Sequence, residues 1–222
     1  PNLEGQISDA RTVAEKATGH ALTDDEVSGY FYSVAWQWIR ESPASAVRLF
    51  ARKLRLTFSG AAPWLNYSYG FFARDEGTIL RGLFVGPWLL LPLGLVGLAY
   101  GMPTVKRREY LIWTSFVPLY GLSVALFFVS DRYTLPLLVP LAIGGGAALS
   151  VFIDAAVAGR WRMAGSLLGA TGALLVLVNL PLKVDDGVAE ERTLMAERLV
   201  TLGRYAEAEE WAKRAEERSE QP

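Results

Sequence analysis

Three consecutive residues between two long apolar segments have side chains that could bind an anion: Asp131, Arg132 and Tyr133. The guanidinium of arginine binds phosphate through a planar fork of N–H donors. Ionisable groups at membrane level are candidates for function, because burying them near hydrocarbon costs free energy. Two interpretations remain open from spacing alone: a site for a lipid phosphate, or a short turn whose polar residues keep it at the surface.

A second basic group lies on a predicted helix at 43–58, where Arg48, Arg52 and Arg55 form a stripe. An apolar arc runs beside this stripe and consists of Val47, Phe50, Ala51, Leu54 and Phe58. Such a pattern is typical of a helix that lies in a membrane interface, and it predicts contacts between the arginines and lipid headgroups. Packing of this helix against protein is the alternative.

Other catalytic chemistry has little support in the sequence. The chain has one histidine, His20, and no cysteine, so we predict no metal site, and we predict no cofactor. The adjacent acids Asp75 and Glu76 are interpreted as a helix start in preference to a general base. The net charge of −1 gives no indication of a nucleic-acid partner.

Aromatic residues are concentrated between residues 59 and 81. They could line a groove for a sugar or a lipid, or they could pack a loop onto the headgroup layer. The residues concerned are Trp64, Tyr67, Tyr69, Phe71 and Phe72.

Four charge-free apolar blocks predict an all-α polytopic membrane protein with spans at about 83–100, 110–130, 133–153 and 163–182. A helix of about 20 apolar residues crosses the hydrocarbon core. Basic residues at 106–108 and at 160–162 predict cytoplasmic loops, and therefore external termini. Glycines at 144–146, 165 and 169 predict close approach between helices.

The spans lie between two predicted external parts. Residues 1–81 form a helical segment, 82–182 the transmembrane bundle, and 183–222 a helical hairpin. The hairpin resembles one tetratricopeptide unit, with Gly203 at the turn and Tyr205 and Ala208 at packing positions. One such unit cannot bury its own apolar face, so a protein partner or further repeats are expected.

The run at 127–136, Phe-Phe-Val-Ser-Asp-Arg-Tyr-Thr-Leu-Pro, resembles the late spans of bacterial multi-spanning glycosyltransferases related to protein O-mannosyltransferases, family 39. The helices at 30–58 resemble the external segment that precedes those spans. Some bacterial members of that family also have tetratricopeptide repeats at the C-terminus.

This resemblance implies transfer of a sugar from a polyprenyl-phosphate-linked donor at the outer face of the bacterial inner membrane. The acceptor, whether protein, lipid or glycan, is not indicated. Arg132 and Tyr133, together with Asp131, are assigned to the donor or its phosphate. The family's general base lies upstream, so we expect this chain to be the C-terminal part of a longer enzyme and to be inactive alone. The alternative function is a membrane-anchored scaffold that recruits partners through its C-terminal helices.

Overall fold

A computed structural model describes residues 3–61, 68–83, 85–103, 105–182 and 184–219, with side chains from residue 8 onward. The described residues form helices and turns without any strand, which confirms the predicted all-α class. The chain divides into two compact units, Pro1–Arg52 and Lys53–Pro222. The boundary between them falls within one helix.

The first unit contains three helices: α1 (Leu3–Thr18), α2 (Asp24–Glu41) and α3 (Pro43–Thr57), which continues into the second unit. Gly19 ends α1 with a φ of +81°. Thr23 followed three residues later by Glu26 is a sequence pattern that predicts a capping box. The structure confirms it at the start of α2, since the Thr23 amide donates to Glu26 Oε2 at 2.8 Å and the Glu26 amide donates to Thr23 Oγ1 at 3.5 Å. The bonds from Thr23 hold the pKa of Glu26 below its usual range.

The second unit begins with short turns and continues with long helices. A π-helical turn (Phe71–Asp75) and a 3₁₀ turn (Ile79–Gly82) precede five helices: α4 (Pro87–Tyr100), α5 (Arg107–Thr114), α6 (Phe116–Leu126), α7 (Asp131–Val157) and α8 (Trp161–Val178). Within the described residues, α7 and α8 are the two helices long and apolar enough to cross a membrane. The apolar helix α4 has 14 residues.

The ends of all four predicted spans differ from those of the observed helices. The third lengthens from 133–153 to Asp131–Val157, and the fourth shifts from 163–182 to Trp161–Val178. The first begins at Pro87, four residues later than predicted, because proline without an N–H fits the first position of a helix. The second is divided at Ser115 and ends at Leu126 instead of 130. Pro118 has no N–H to donate to the Thr114 carbonyl, so the helical hydrogen bonding is interrupted there.

A close contact between helices in the second unit is made by glycines of α4 and α7. A Cβ added to Gly97 would lie 1.7 Å from the Gly144 carbonyl oxygen, and one added to Gly94 would lie 2.6 Å from the Leu141 oxygen. Later positions of α4 therefore meet later positions of α7, so the two helices are parallel. Beside this contact lies a buried apolar cluster of Leu91, Val117, Leu137, Leu141 and Val178.

Gly145 makes an ordinary contact, because its built Cβ lies 3.8 Å from Leu93 Cβ, whereas the three remaining glycines of the prediction make none in the described part of the chain. No atom lies within 4 Å of a Cβ built on Gly146, Gly165 or Gly169. The prediction of close approach is therefore correct for Gly144 and wrong for these three. Spacing alone reveals a small-residue stripe without revealing whether a neighbouring helix covers it.

The C-terminal helices α9 (Val188–Thr201) and α10 (Tyr205–Ser219) form an antiparallel hairpin that turns at Gly203, where φ is +75°. Its antiparallel course follows from the contact between their far ends, because Arg192 Nη1 donates to the Arg214 carbonyl at 2.7 Å. The sequence predicts these helices at about Ala189–Leu202 and Tyr205–Ser219, and both are thus confirmed to within about one residue. Their tetratricopeptide character remains a prediction.

The hairpin is attached to the segment that carries the π-helical turn. Arg192 Nε donates to Asp75 Oδ2 at 2.6 Å, and Arg192 Nη2 donates to Oδ1 at 3.3 Å. The Phe71 ring lies 5.7 Å from the Trp211 ring. Asp75 therefore ends a turn and pairs with an arginine, and its interpretation as a helix start is wrong.

We predict that Gly97→Ala lowers the free energy of unfolding by at least about 1–3 kcal/mol, because the methyl group overpacks the contact with α7. The measurement is thermal or denaturant unfolding of the purified chain in detergent. Gly169→Ala is the matched control, since its methyl group meets no atom and alanine favours the helix by up to about 1 kcal/mol. Equal stability of the two variants would contradict the observed packing.

Candidate functional site

The three residues of the candidate site form the first turn of α7. Ser130 precedes the helix with extended backbone, and its carbonyl accepts the amides of Tyr133 and Thr134, each at 3.1 Å. The turn between the helices is therefore 127–130, and the expectation that Asp131 and Arg132 themselves form it is wrong. A carboxylate at Asp131 suits the positive end of the helix dipole, which explains the earlier start.

Arg132 and Tyr133 have exposed side chains. The Arg132 guanidinium carbon lies 5.9 Å from the centroid of the Tyr133 ring. That ring in turn meets Phe128 edge to face at 6.1 Å. Among the described residues Arg132 makes no ion pair, so its N–H donors are available to an anion.

The Asp131 side chain lies in different surroundings from the Arg132 side chain. It borders a cavity of about 380 Å³, and its Oδ1 is buried without a hydrogen-bond partner among the described residues. No ion pair joins Asp131 to Arg132 in this part of the chain. Successive helical residues point about 100° apart, so the carboxylate and the guanidinium serve separate surroundings.

The cavity is bordered by the starts of α4 and α7, by the end of α3 with the residues after it, and by Tyr69. Its lining is largely apolar and consists of Leu56, Thr57, Ser59, Gly60, Ala61, Tyr69, Leu83, Val85, Gly86, Pro87, Trp88, Leu90, Leu91, Asp131, Thr134, Leu135, Leu137 and Leu138. Several hydroxyls in this lining are already bonded to nearby backbone. Thr57 Oγ1 donates to the Lys53 carbonyl at 3.0 Å, and Ser59 Oγ donates to the Leu56 carbonyl at 2.9 Å.

Two backbone contacts fix the walls of the cavity. The Gly60 amide donates to the Val178 carbonyl at 3.0 Å, and Asn179 Nδ2 donates to the Trp88 carbonyl at 3.0 Å. A Cβ on Gly60 would lie 2.4 Å from Asn179 Oδ1, so glycine permits this approach. The end of α8 is thereby held beside the start of α4.

Of the five aromatic residues singled out between residues 59 and 81, Tyr69 is the one described in the cavity lining, and a groove for a sugar or a lipid stays a prediction. Tyr69 lines the cavity and donates its hydroxyl to the Leu80 carbonyl at 2.8 Å. Phe71 is buried beside Trp211 and Phe72, away from the cavity lining. Trp64 and Tyr67 lie outside the described residues.

The basic stripe of α3 remains exposed along the helix at Arg48, Arg52 and Arg55. Lys53 behaves differently, because its Nζ donates to the Phe127 carbonyl at 3.0 Å and so supports the turn before α7. The interfacial role of the stripe stays a prediction.

Metal chemistry has no visible site in the part of the chain that the structure describes. No group of three or more histidine, aspartate or glutamate residues there could hold a metal ion. Asp75, one of the two acids considered for general-base work, is engaged by Arg192.

We predict that Ser130→Ala leaves stability unchanged or raises it by up to about 1 kcal/mol. A serine before a helix usually stabilises it, but Ser130 Oγ is buried without a partner in the described residues and makes no capping bond. Unfolding of the variant in detergent measures the effect. A loss near 1 kcal/mol would contradict the absence of a partner for this hydroxyl.

Comparisons with known proteins leave the resemblance stated from the sequence as a prediction. No family model, no curated protein and no solved structure matches the chain. The cavity and the residues at the start of α7 are the features of this chain that bear on its function.

Proposed function

We propose that this chain forms the donor-binding part of an integral-membrane glycosyltransferase that uses a polyprenyl-phosphate-linked sugar. The observation that carries the proposal is the apolar cavity at the start of α7, with an acid in its lining and an exposed arginine next along the helix. A polyprenyl phosphate combines a long apolar chain with an anionic head. Those two parts match the two environments.

The lining of the cavity suits an isoprenoid chain. Leucines, valine and tryptophan make up half of its lining residues, and the hydroxyls of Thr57, Ser59, Tyr69 and Thr134 all donate to backbone carbonyls. Transfer of a branched hydrocarbon chain into such a space is favourable by about 25 cal/mol per Å² of apolar surface removed from water. A polar sugar would find few partners among these walls apart from Asp131.

Arg132 is the residue that suits the phosphate. Its planar fork can donate two parallel hydrogen bonds to phosphate oxygens, and the Tyr133 ring beside it limits the positions that the guanidinium adopts. The start of α7 adds the positive end of a helix dipole. Asp131, by contrast, would repel a phosphate and suits sugar hydroxyls, which donate hydrogen bonds.

The surfaces of α7 and α8 support membrane insertion. Large apolar side chains are exposed along both helices: Leu135, Val139, Ile143, Leu149, Ile153, Val157, Leu168, Val176 and Leu177. Continuous apolar surface of this kind is unfavourable in water and favourable against lipid tails. In the proposal the four spans are α4, α5 together with α6, α7 and α8.

The positions of the helix ends support the proposed orientation of the chain across the membrane. The start of α4 and the end of α8 meet through Trp88 and Asn179, and the start of α7 borders the same cavity. Basic residues at 106–108 and at 160–162 follow the opposite ends of α4 and α7. Basic residues favour the cytoplasmic side, so the cavity belongs at the outer face of the bacterial inner membrane. The hairpin of α9 and α10, proposed as a tetratricopeptide-like unit, lies on the external side.

We predict that Arg132→Ala weakens binding of undecaprenyl phosphate by about 10–100-fold, because the loss of charged hydrogen bonds costs about 1.5–3 kcal/mol. Native mass spectrometry of the detergent-solubilised chain, titrated with the lipid, measures the affinity. Arg160→Ala is the matched control, since Arg160 is an exposed arginine just beyond the other end of α7. Equal affinities for the two variants would refute the assignment of Arg132.

We predict that Asp131→Asn weakens binding of the sugar-bearing lipid by about 10-fold more than binding of undecaprenyl phosphate. The carboxylate accepts hydrogen bonds from sugar hydroxyls more strongly than an amide oxygen does, whereas the phosphate gains nothing from it. Paired titrations with undecaprenyl phosphate and undecaprenyl phosphate-mannose make the comparison. A loss of the same size for both lipids would assign Asp131 to the folding of the site instead.

A further inference from the structure

An open groove of about 800 Å³ lies between α9 and α10. Alanines form its floor, and of these Ala196, Ala208 and Ala215 are buried. Such short side chains allow the backbone of a further helix to approach closely, as small residues do at other helix contacts. The groove is therefore apolar along its centre.

Carboxylates occur on both helices that border this groove. Glu190 and Glu197 lie seven residues apart on α9, and Glu209 and Glu216 lie seven apart on α10. Seven residues are two helical turns, or about 10.5 Å along the axis. The two helices thus present acids at the same longitudinal spacing.

Most of these carboxylates are not neutralised within the chain. Glu209 pairs with Lys213 at 2.7 Å, but both side chains are exposed, so the ion pair is weak. Glu209 can therefore exchange Lys213 for a cation of the occupant. Glu190, Glu197 and Glu216 make no ion pair in the described residues. An occupant with positive charge on both of its sides would complement them.

We infer that the groove binds a basic amphipathic helix of a partner protein, with small apolar residues on one face and lysines or arginines beside it at seven-residue spacing. An extended segment is a poorer occupant, because α9 and α10 have no free strand edge to pair with its backbone. Anionic lipid and nucleic acid are repelled by the carboxylates. This inference is independent of the proposed glycosyltransferase function.

The test uses the full chain in detergent and a fluorescein-labelled synthetic helix. This 18-residue peptide has an alanine and leucine face between lysines placed seven residues apart, and a second peptide has glutamates in place of the lysines. Fluorescence anisotropy measures both affinities. We expect the lysine peptide to bind at least 10-fold more tightly than the glutamate peptide, and more weakly as salt rises.

Two variants of the chain locate the binding. Glu190→Gln with Glu197→Gln should lower the affinity of the lysine peptide about 10-fold, and Ala212→Trp should abolish binding by filling the groove floor. The matched control is Glu207→Gln with Glu210→Gln, which removes two carboxylates that pair with Arg204 and Arg214 and do not line the groove. This control should bind as the unmodified chain does. Circular dichroism establishes that each variant keeps its helices.

Three results would overturn the inference. The first is no binding of the lysine peptide, and the second is equal affinity for the lysine and glutamate peptides. The third is a dimer in size-exclusion chromatography with light scattering that Ala212→Trp converts to a monomer, because a second copy of the chain would then fill the groove.

Discussion

The contact between the glycines of α4 and α7 is the constraint on which the described second unit depends. Backbone oxygens of one helix occupy the volume that a Cβ would need on the other, so only glycine permits this approach at Gly94, Gly97 and Gly144. That approach brings Leu91 and Leu137 into one buried cluster with Val178 of α8. It also brings the starts of α4 and α7 side by side, and the cavity exists because these two starts meet the end of α3.

At this end of the bundle, the first turn of α7 directs an acidic and a basic side chain to different surroundings. Asp131 borders an apolar cavity, and Arg132 is exposed beside an aromatic ring. If both side chains had faced the same surroundings, they would have neutralised each other and left little affinity for a charged ligand. Adjacent residues on a helix cannot easily face the same surroundings. The proposed division, with the phosphate at Arg132 and the sugar at Asp131, follows from this geometry.

The sequence was informative about helices whose ends carry a local chemical signal. Thr23 with Glu26, Pro43 and Gly203 each mark a boundary within about one residue, because caps and turns are local interactions. Charge-free blocks located apolar helices but not their ends, since hydropathy does not register the missing N–H of Pro118. The candidate cavity could be anticipated only at Asp131 and Tyr69. Its other walls, such as Gly60 and Trp88, depend on contacts between residues far apart in the chain.

The pairing of Arg192 with Asp75 joins the C-terminal hairpin to a stretch that also carries Tyr69. A bidentate pair of this kind resists shear, because both of its hydrogen bonds must break together when one partner slides past the other. The Ser68 amide adds a third hydrogen bond to the hairpin, because it donates to Glu191 Oε1 at 3.1 Å. A displacement of the hairpin would therefore pull on residues 68–75, which include Tyr69 in the cavity lining, although the groove and the cavity share no lining residue.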